Sequence, residues 1–174
     1  MTAKTANFDE STFRAALGRF PTGVTVITTE DKRSLQPSGL TISSFTSLSL
    51  DPPLVLWTLS NKAASLPIFE SSERYVIHVL SASQLALARR FSTGTPAERF
   101  QTQATTRTQQ GTLMLDEPHL AAWFECYNVR QYKGGDHMIF IGQVERCHHN
   151  EIQPLVYHAG DFDLTPSTQS ITGL

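Results

Sequence analysis

The chain is short of the residues that metal, disulfide, membrane and nucleic-acid chemistry require. Its 174 residues hold two cysteines, Cys126 and Cys147, with no C-x-x-C spacing. That excludes a thiolate zinc site of ordinary pattern, and two thiols in a reducing compartment stay unpaired. Cys147-His148-His149 does not replace it, because side chains of adjacent residues diverge. It is read as a polar turn before Asn150, and no metal is expected. Positive charge is scarce too. Lys and Arg number 14 against 16 Asp and Glu, for a net charge of −2 without a basic run, so no nucleic-acid partner is expected. No apolar run approaches the roughly 20 residues of a membrane helix, and Leu54 to Leu59 is only strand-sized. Met1 to Asn7 lacks the apolar centre of a signal peptide, so a cytoplasmic location is expected. The G-x-G-x-x-G turn of a doubly wound dinucleotide fold is also missing.

What is present is enough to fold. Hydrophobic residues make up 40% and charged residues 17%, sufficient for one buried core. A single domain over residues 1–174 is expected, its core roughly 13–163 and its two tails flexible. Asp9 or Ser11 caps a first helix whose apolar face is Phe13, Leu17 and Phe20, and Gly18 and Pro21 end it. Val24 to Thr29, Ser38 to Ser44, Leu54 to Leu59 and Tyr75 to Leu80 read as strands. Ser65-Leu66-Pro67 starts a short helix within Asn61 to Ser72. Ser83 is expected to cap a helix with Leu85, Ala88 and Phe91 facing inward. Thr95-Pro96-Ala97-Glu98 is a capping box with Pro at the first helical position. Gln101 to Gly111, rich in Gln and Thr, reads as a surface loop. Leu120 to Tyr132, His137 to Arg146 and Leu155 to Phe162 add three strands, with Gly134-Gly135-Asp136 as the turn between the first two. Strands joined by short turns, with helices inserted irregularly, favour an antiparallel barrel with helical caps.

One stretch stands out. Thr41 to Ser47 carries five hydroxyl side chains around Phe45, and Pro52-Pro53 closes the segment. A strand end leaves backbone N–H and C=O groups without ladder partners. With the hydroxyls, those groups suit a flat, polar, phosphorylated ligand. A Ser/Thr-rich strand end that caps itself is common as well, and on the residues alone that is the favoured reading.

Six blocks in order resemble the flavin reductases of the FMN-binding split-barrel type, the small partners of two-component flavin monooxygenases. They are Arg19-Phe20-Pro21-Thr22-Gly23-Val24-Thr25-Val26-Ile27-Thr28, Gly39 to Pro53, Arg89-Arg90-Phe91 with Glu98-Arg99-Phe100, Phe124-Glu125-Cys126, Gly135-Asp136-His137, and Pro154-Leu155-Val156-Tyr157-His158. The likeness runs from about Phe13 to Phe162. It departs from the family's pattern at Leu40, at His78 where the family usually has Asn, and at Ser60 to Ser65.

The resemblance implies a mainly β fold with helices, an antiparallel split β-barrel. It implies an NAD(P)H-dependent flavin reductase that passes hydride from NADH or NADPH to FMN or FAD and supplies reduced flavin to a separate monooxygenase. A homodimer sharing the site is expected. Thr41, Ser43, Ser44, Phe45 and Thr46 are assigned to the flavin's polar edge, and Pro21, Thr22, Gly23 and Val24 to its ring. Ser60, Lys62, Ala64 and Ser65, with Arg89, Arg90 and Phe91, are assigned to the phosphate side. For each arginine a plain helix-surface charge weighs about as much. His137 is given a catalytic, positioning role beside nicotinamide and flavin, with Asp136 orienting it. Cys126 is read as an inert core thiol. Two other readings are kept: a flavin-binding carrier or sensor without turnover, and a split-barrel FMN oxidase of a phosphorylated pyridoxine-like substrate. The lack of a basic cluster for a second phosphate counts against the oxidase.

Overall fold

The computed structural model describes residues 7–163, and the expected flexible tails at 1–6 and beyond Pro166 lie outside that range. Helix α1, Glu10–Leu17, is capped by Asp9, whose carboxylate accepts the Thr12 N–H at 2.7 Å. Strands β1 (Thr22–Gly23), β2 (Thr25–Glu30), β3 (Pro37–Ile42), β4 (Thr46–Leu50) and β5 (Pro53–Ser60) follow. Then come α2 (Leu66–Ser71), β6 (Arg74–Val79), a 3-10 turn at Ala82–Gln84, α3 (Leu85–Ser92) and α4 (Pro96–Phe100). The chain continues through β7 (Thr105–Arg107), β8 (Leu113–Leu115), β9 (Ala122–Gly134), β10 (His137–His149), β11 (Val156–His158) and β12 (Asp161–Asp163).

Seven strands form one antiparallel sheet in the order β3-β2-β6-β9-β10-β5-β4. Its two edges, β3 and β4, are consecutive in the chain and joined only by residues 43–45. A three-residue link spans at most about 11 Å, so the sheet must curl until its edges nearly meet. The result is the expected split barrel. Ser44 stitches the seam, its Oγ accepting the Thr58 N–H at 3.0 Å and donating to the Thr58 carbonyl at 3.2 Å.

The curled sheet has a core on each face. Inside the barrel, Trp57 stacks on Phe140 at 4.3 Å and meets Phe69 and Tyr75 edge-on, with Ile27, Ile77 and Cys126 around them. Outside, Val24, Val26, Leu80, Leu87, Ala88 and Phe91 pack with Leu115, Leu120 and Leu155. This double burial explains the continuous apolar and β-branched run of β2, buried from Thr25 through Thr29.

Several expectations need correction. The α3 segment is capped by Ser81 and Gln84 in a capping box, not by Ser83, and Leu87 rather than Leu85 is its buried leucine. Gln101 to Gly111 is not all loop, because β7 pairs with β8. Leu155 to Phe162 is two short strands, β11 and β12, joined at Ala159 and Gly160. Cys147, His148 and His149 end β10 rather than forming a turn. The apolar face of α1 is uncovered, with Phe13 48%, Leu17 57% and Phe20 75% exposed. Among the described residues no helix is long and apolar enough to cross a membrane, and no His/Cys/Asp/Glu group could hold a metal.

Candidate functional site

Beside the seam, residues 43–45 leave the ladder. Strand β3 last pairs at Ile42 with Thr25, and β4 starts at Thr46 opposite Leu56. Among the described residues, no backbone group of Ser43, Ser44 or Phe45 bonds to another backbone group. Free donors and acceptors therefore stand in a row at the mouth of the barrel, as the sequence led one to expect.

A cleft of about 340 Å³ opens beside them, lined by Val24, Thr41, Ile42, Ser43, Ser92, Tyr157, Gly160 and Phe162. The small sheet β1-β11-β12 supplies its far wall, with Tyr157 and Phe162 packed edge-to-face at 5.4 Å. A second cleft of about 350 Å³ is lined by Leu40, Thr41, Ala63, Ala64, Ser65, Phe91, Ser92, Gly94, Thr95, Pro96 and Arg99. Thr41 and Ser92 line both, so the two form one groove along β3 and the end of α3. Thr41 also ties these elements, its Oγ1 donating to the Ala88 carbonyl at 2.7 Å. A roomier hollow of about 550 Å³, lined by Asp31, Lys32, Arg33, Pro67, Ile68 and Ser71, holds none of the expected site residues.

The expected residues fall into three groups. Val24, Thr41, Ser43, Ala64, Ser65 and Phe91 line the groove. Ser44 is consumed by the seam, Phe45 leans on Phe124 at 5.5 Å beside the barrel core, and Thr46 is exposed on β4. Pro21, Thr22 and Gly23 border the groove through β1, which pairs with Tyr157 and Val156, but none of them lines it. The cations differ from expectation. Arg89 lines neither cleft, and Arg90 faces a different hollow, where its Nη1 donates to Gln103 Oε1 at 3.4 Å. Helix α2 is only six residues long, and its first N–H, at Leu66, is already bonded to the Ala63 carbonyl.

The last group is the turn into β10. Gly135 has φ +65°, a conformation that glycine adopts without strain. His137 sits opposite Ser60 in the β10–β5 ladder. The turn is tied to the end of β5, where the Asn61 N–H donates to the Asp136 carbonyl at 2.9 Å. His137 Nδ1 lies 2.7 Å from Asp136 Oδ1, a hydrogen bond that lowers the Asp136 pKa below the usual carboxylate range. The pair is solvent-facing and lines neither cleft. Ser60 and Lys62, in the same turn region, line neither cleft.

The sequence left Tyr157 open between a structural role and reaching the site, and it lines the groove; Gly160 and Phe162 on the same wall, and Ser92 and Arg99, were missed. Arg99 was visible inside the Glu98-Arg99-Phe100 block. Tyr157 was visible inside the Pro154-to-His158 block, whereas Phe162 lies beyond every matching block. Cys126 is fully buried, and burial raises its pKa, which fits the inert reading.

At one end of the groove Val24, Ile42, Tyr157 and Phe162 present apolar groups, and beside them the backbone groups of residues 43–45 have no backbone partner among the described residues. The Flavin reductase like domain family matches residues 17–165. The chain is 39% identical to an FMN reductase (NADH) SmoA of Agrobacterium fabrum over 86% of this chain and 83% of that protein. It is 33% identical to a flavin-dependent monooxygenase reductase subunit, HsaB, of Mycobacterium tuberculosis, over 90% and 83%. The NADH:FAD oxidoreductase SgcE6 of Streptomyces globisporus, solved with NAD and FAD fragments, superposes with a TM-score of 0.84 at 31% identity, covering 93% of this chain and 96% of that one. A solved Sinorhizobium meliloti 1021 protein superposes equally well, at 0.84 and 35% identity over 90% of this chain. It is longer, and the chain spans 54% of its length.

Proposed function

The chain belongs to the flavin reductase-like domain family, and from that premise we infer its chemistry. It is an NADH-dependent flavin reductase, an oxidoreductase that hands reduced flavin to a partner monooxygenase. The observation that carries the reading is the groove, with Val24, Ile42, Tyr157 and Phe162 at one end, beside a row of backbone groups without backbone partners at the barrel seam.

Bound flavin supplies the electron-accepting ring that takes hydride from the nicotinamide. The protein's own groups bind, orient and exclude water. Val24, Ile42, Tyr157 and Phe162 hold an apolar ring system. The N–H and C=O groups of residues 43–45 satisfy its polar edge. Thr41 fixes α3 against β3 and so sets the width of the groove. His137 stands at the turn flanking the Ala63–Ser65 end, held by Asp136. Its part is positioning, with proton donation as a second service.

A homodimer with a shared site accounts for the open apolar face of α1 and for a histidine outside the groove of its own chain. We read residues 1–174 as one unit, in a cytoplasmic setting that suits two free thiols.

The test is oxidation of NADH by purified protein with added FMN or FAD, followed by nicotinamide absorbance, with NADPH as the comparison. Flavin-dependent turnover is expected, and its absence with every pair overturns the reading. Tight flavin binding without turnover would select the carrier reading. His137→Ala should lower kcat more than it raises the KM for flavin. Its effect should fall short of the ~10²–10⁴-fold typical of general acid–base groups, because hydride transfer needs little such help.

A further inference from the structure

We propose that the hollow between the β2–β3 loop and α2 is a docking surface for a protein partner. It takes an acidic segment with apolar side chains, carried by the protein that receives the reduced flavin. The partner's identity rests on the flavin reductase reading, and the surface itself does not.

The hollow measures about 550 Å³. Pro67 and Ile68 of α2 supply its apolar side, and Lys32 and Arg33 come from the loop, with Asp31 and Ser71 completing the lining. Both cations are exposed, and neither forms an ion pair with a described residue. The acids nearby are engaged elsewhere. Asp31 Oδ1 accepts the N–H groups of Arg33 and Ser34 at 2.8 and 2.7 Å. Glu30 and Glu73, which share a neighbouring cleft with Lys32, pair with Arg107 and Arg74. Glu70, the one acid on α2, does not line the hollow. Two unpaired positive charges beside an apolar surface complement an acidic, partly apolar segment.

The same loop displays a leucine under strain. Leu35 has φ +56°, a left-handed conformation that a bulky side chain resists and glycine adopts freely. It is 64% exposed and belongs to neither core cluster. Glycine there would relax the backbone and remove apolar surface from water, so the fold's own stability does not account for the leucine. The loop is preorganised around it. The Asp31 N–H donates to the Gln36 carbonyl at 2.9 Å, and the Leu35 N–H to the Asp31 carbonyl at 2.8 Å. Little ordering is then needed when a partner binds.

Position ties the surface to the groove. Ala63, Ala64 and Ser65 line the groove, whereas Pro67, Ile68 and Ser71 line the hollow. Helix α2, about 9 Å long, is therefore the wall between them. A partner docked here stands beside the groove, which shortens the path of reduced flavin through oxygenated water.

Wild type, Leu35→Gly and Lys32→Glu/Arg33→Glu test this. Each would be titrated, by fluorescence anisotropy, with a labelled peptide alternating Glu and Leu and with one alternating Lys and Leu. Thermal melts, sedimentation and NADH oxidation with FMN would be recorded in parallel. Wild type should bind the acidic peptide and not the basic one, more weakly as salt rises. Lys32→Glu/Arg33→Glu should weaken that binding about tenfold or more, the scale of two charge pairs turned repulsive. Leu35→Gly should bind more weakly yet melt higher, because left-handed strain outweighs glycine's extra freedom in the unfolded chain. Flavin-dependent NADH oxidation should be unchanged in both variants. A lower melt in Leu35→Gly, equal binding of the two peptides, or binding indifferent to the substitutions overturns the docking surface. So does a wild-type dimer that dissociates in Lys32→Glu/Arg33→Glu, which would make the hollow a contact between copies of the chain. Acidic-peptide binding by protein that oxidises no NADH with flavin upholds the surface and overturns the flavin reading, and the partner's identity with it.

Discussion

His78 shows how much one side chain can commit. It is fully buried, Nδ1 lies 2.9 Å from the Val26 carbonyl oxygen, and Nε2 accepts the Leu115 N–H at 3.1 Å. A carbonyl can only accept, so Nδ1 carries the proton and the ring is neutral. A second proton would break the bond to Leu115 and bury a charge, and burial pushes the pKa from 6.5 down to about 4. The unfolded chain takes up that proton as pH drops through 6.5, while the native chain resists until about 4. Stability is therefore complete above pH 6.5 and declines towards pH 4, by up to about 3 kcal/mol. Urea unfolding of wild type and His78→Asn at neutral pH and near pH 4 checks this. The asparagine amide can donate and accept but cannot titrate, so the pH-dependence should shrink in the variant. Gly142 makes a steric commitment instead. A Cβ there would lie 2.3 Å from Tyr75 Oη and 3.0 Å from the Cys126 Cβ, and Tyr75 and Cys126 are both fully buried. Gly142→Ala should cost about 1–3 kcal/mol, read from the denaturation midpoint.

At the scale of elements, the β7–β8 hairpin is held to the outer face of the barrel by one polar nail from each of three strands. Thr28 of β2 donates to the Leu113 carbonyl at 2.8 Å, His78 of β6 accepts from Leu115, and Glu125 of β9 accepts from Thr108 and Thr112 at 2.5 and 2.6 Å. Glu125→Ala strands two hydroxyls in a largely buried spot. It should lower stability by about 2 kcal/mol and raise amide exchange at 105–115 well before the barrel strands open. Unchanged protection across the hairpin would show that the nail is idle. This hairpin also marks the limit of the sequence. Thr105–Arg107 is exposed throughout and carries no apolar alternation to betray a strand. Thr46–Leu50 escaped for a different reason: Leu48 and Leu50 alternate with serines, yet four of its five residues are exposed, and the strand hides inside the hydroxyl-rich stretch. The capped α1, the boxed α4 and the apolar β5 announced themselves, because local chemistry alone dictates them. The groove was half legible. Thr41 and Ser43 signalled through composition and Tyr157 through its motif block, whereas Gly160 and Phe162 come from more than a hundred residues away, and only the folded topology brings them in.

At the scale of the whole molecule, two apolar surfaces have no cover from the described residues of one chain. Phe8, just before α1, pairs with Phe13 at 5.4 Å, with Leu17 and, just past the helix, Phe20 in the same segment, all 48–75% exposed. On the edge strand β4, Leu48 is 48% and Leu50 93% exposed. An edge strand carrying exposed leucines invites association, and a stable two-fold interface needs about 1,200–2,000 Å² of buried surface. A second copy of the chain is the occupant that needs no other partner. Sedimentation should therefore show one species at twice the chain mass, persisting on dilution into the micromolar range. Leu50→Glu, at a position too exposed to serve the core, should shift that species towards half the mass. If the site is shared, NADH oxidation per chain should fall in step with the dissociated fraction. Wild-type protein that sediments as a fully active monomer would overturn the dimer, and His137 would then have to act from within its own chain.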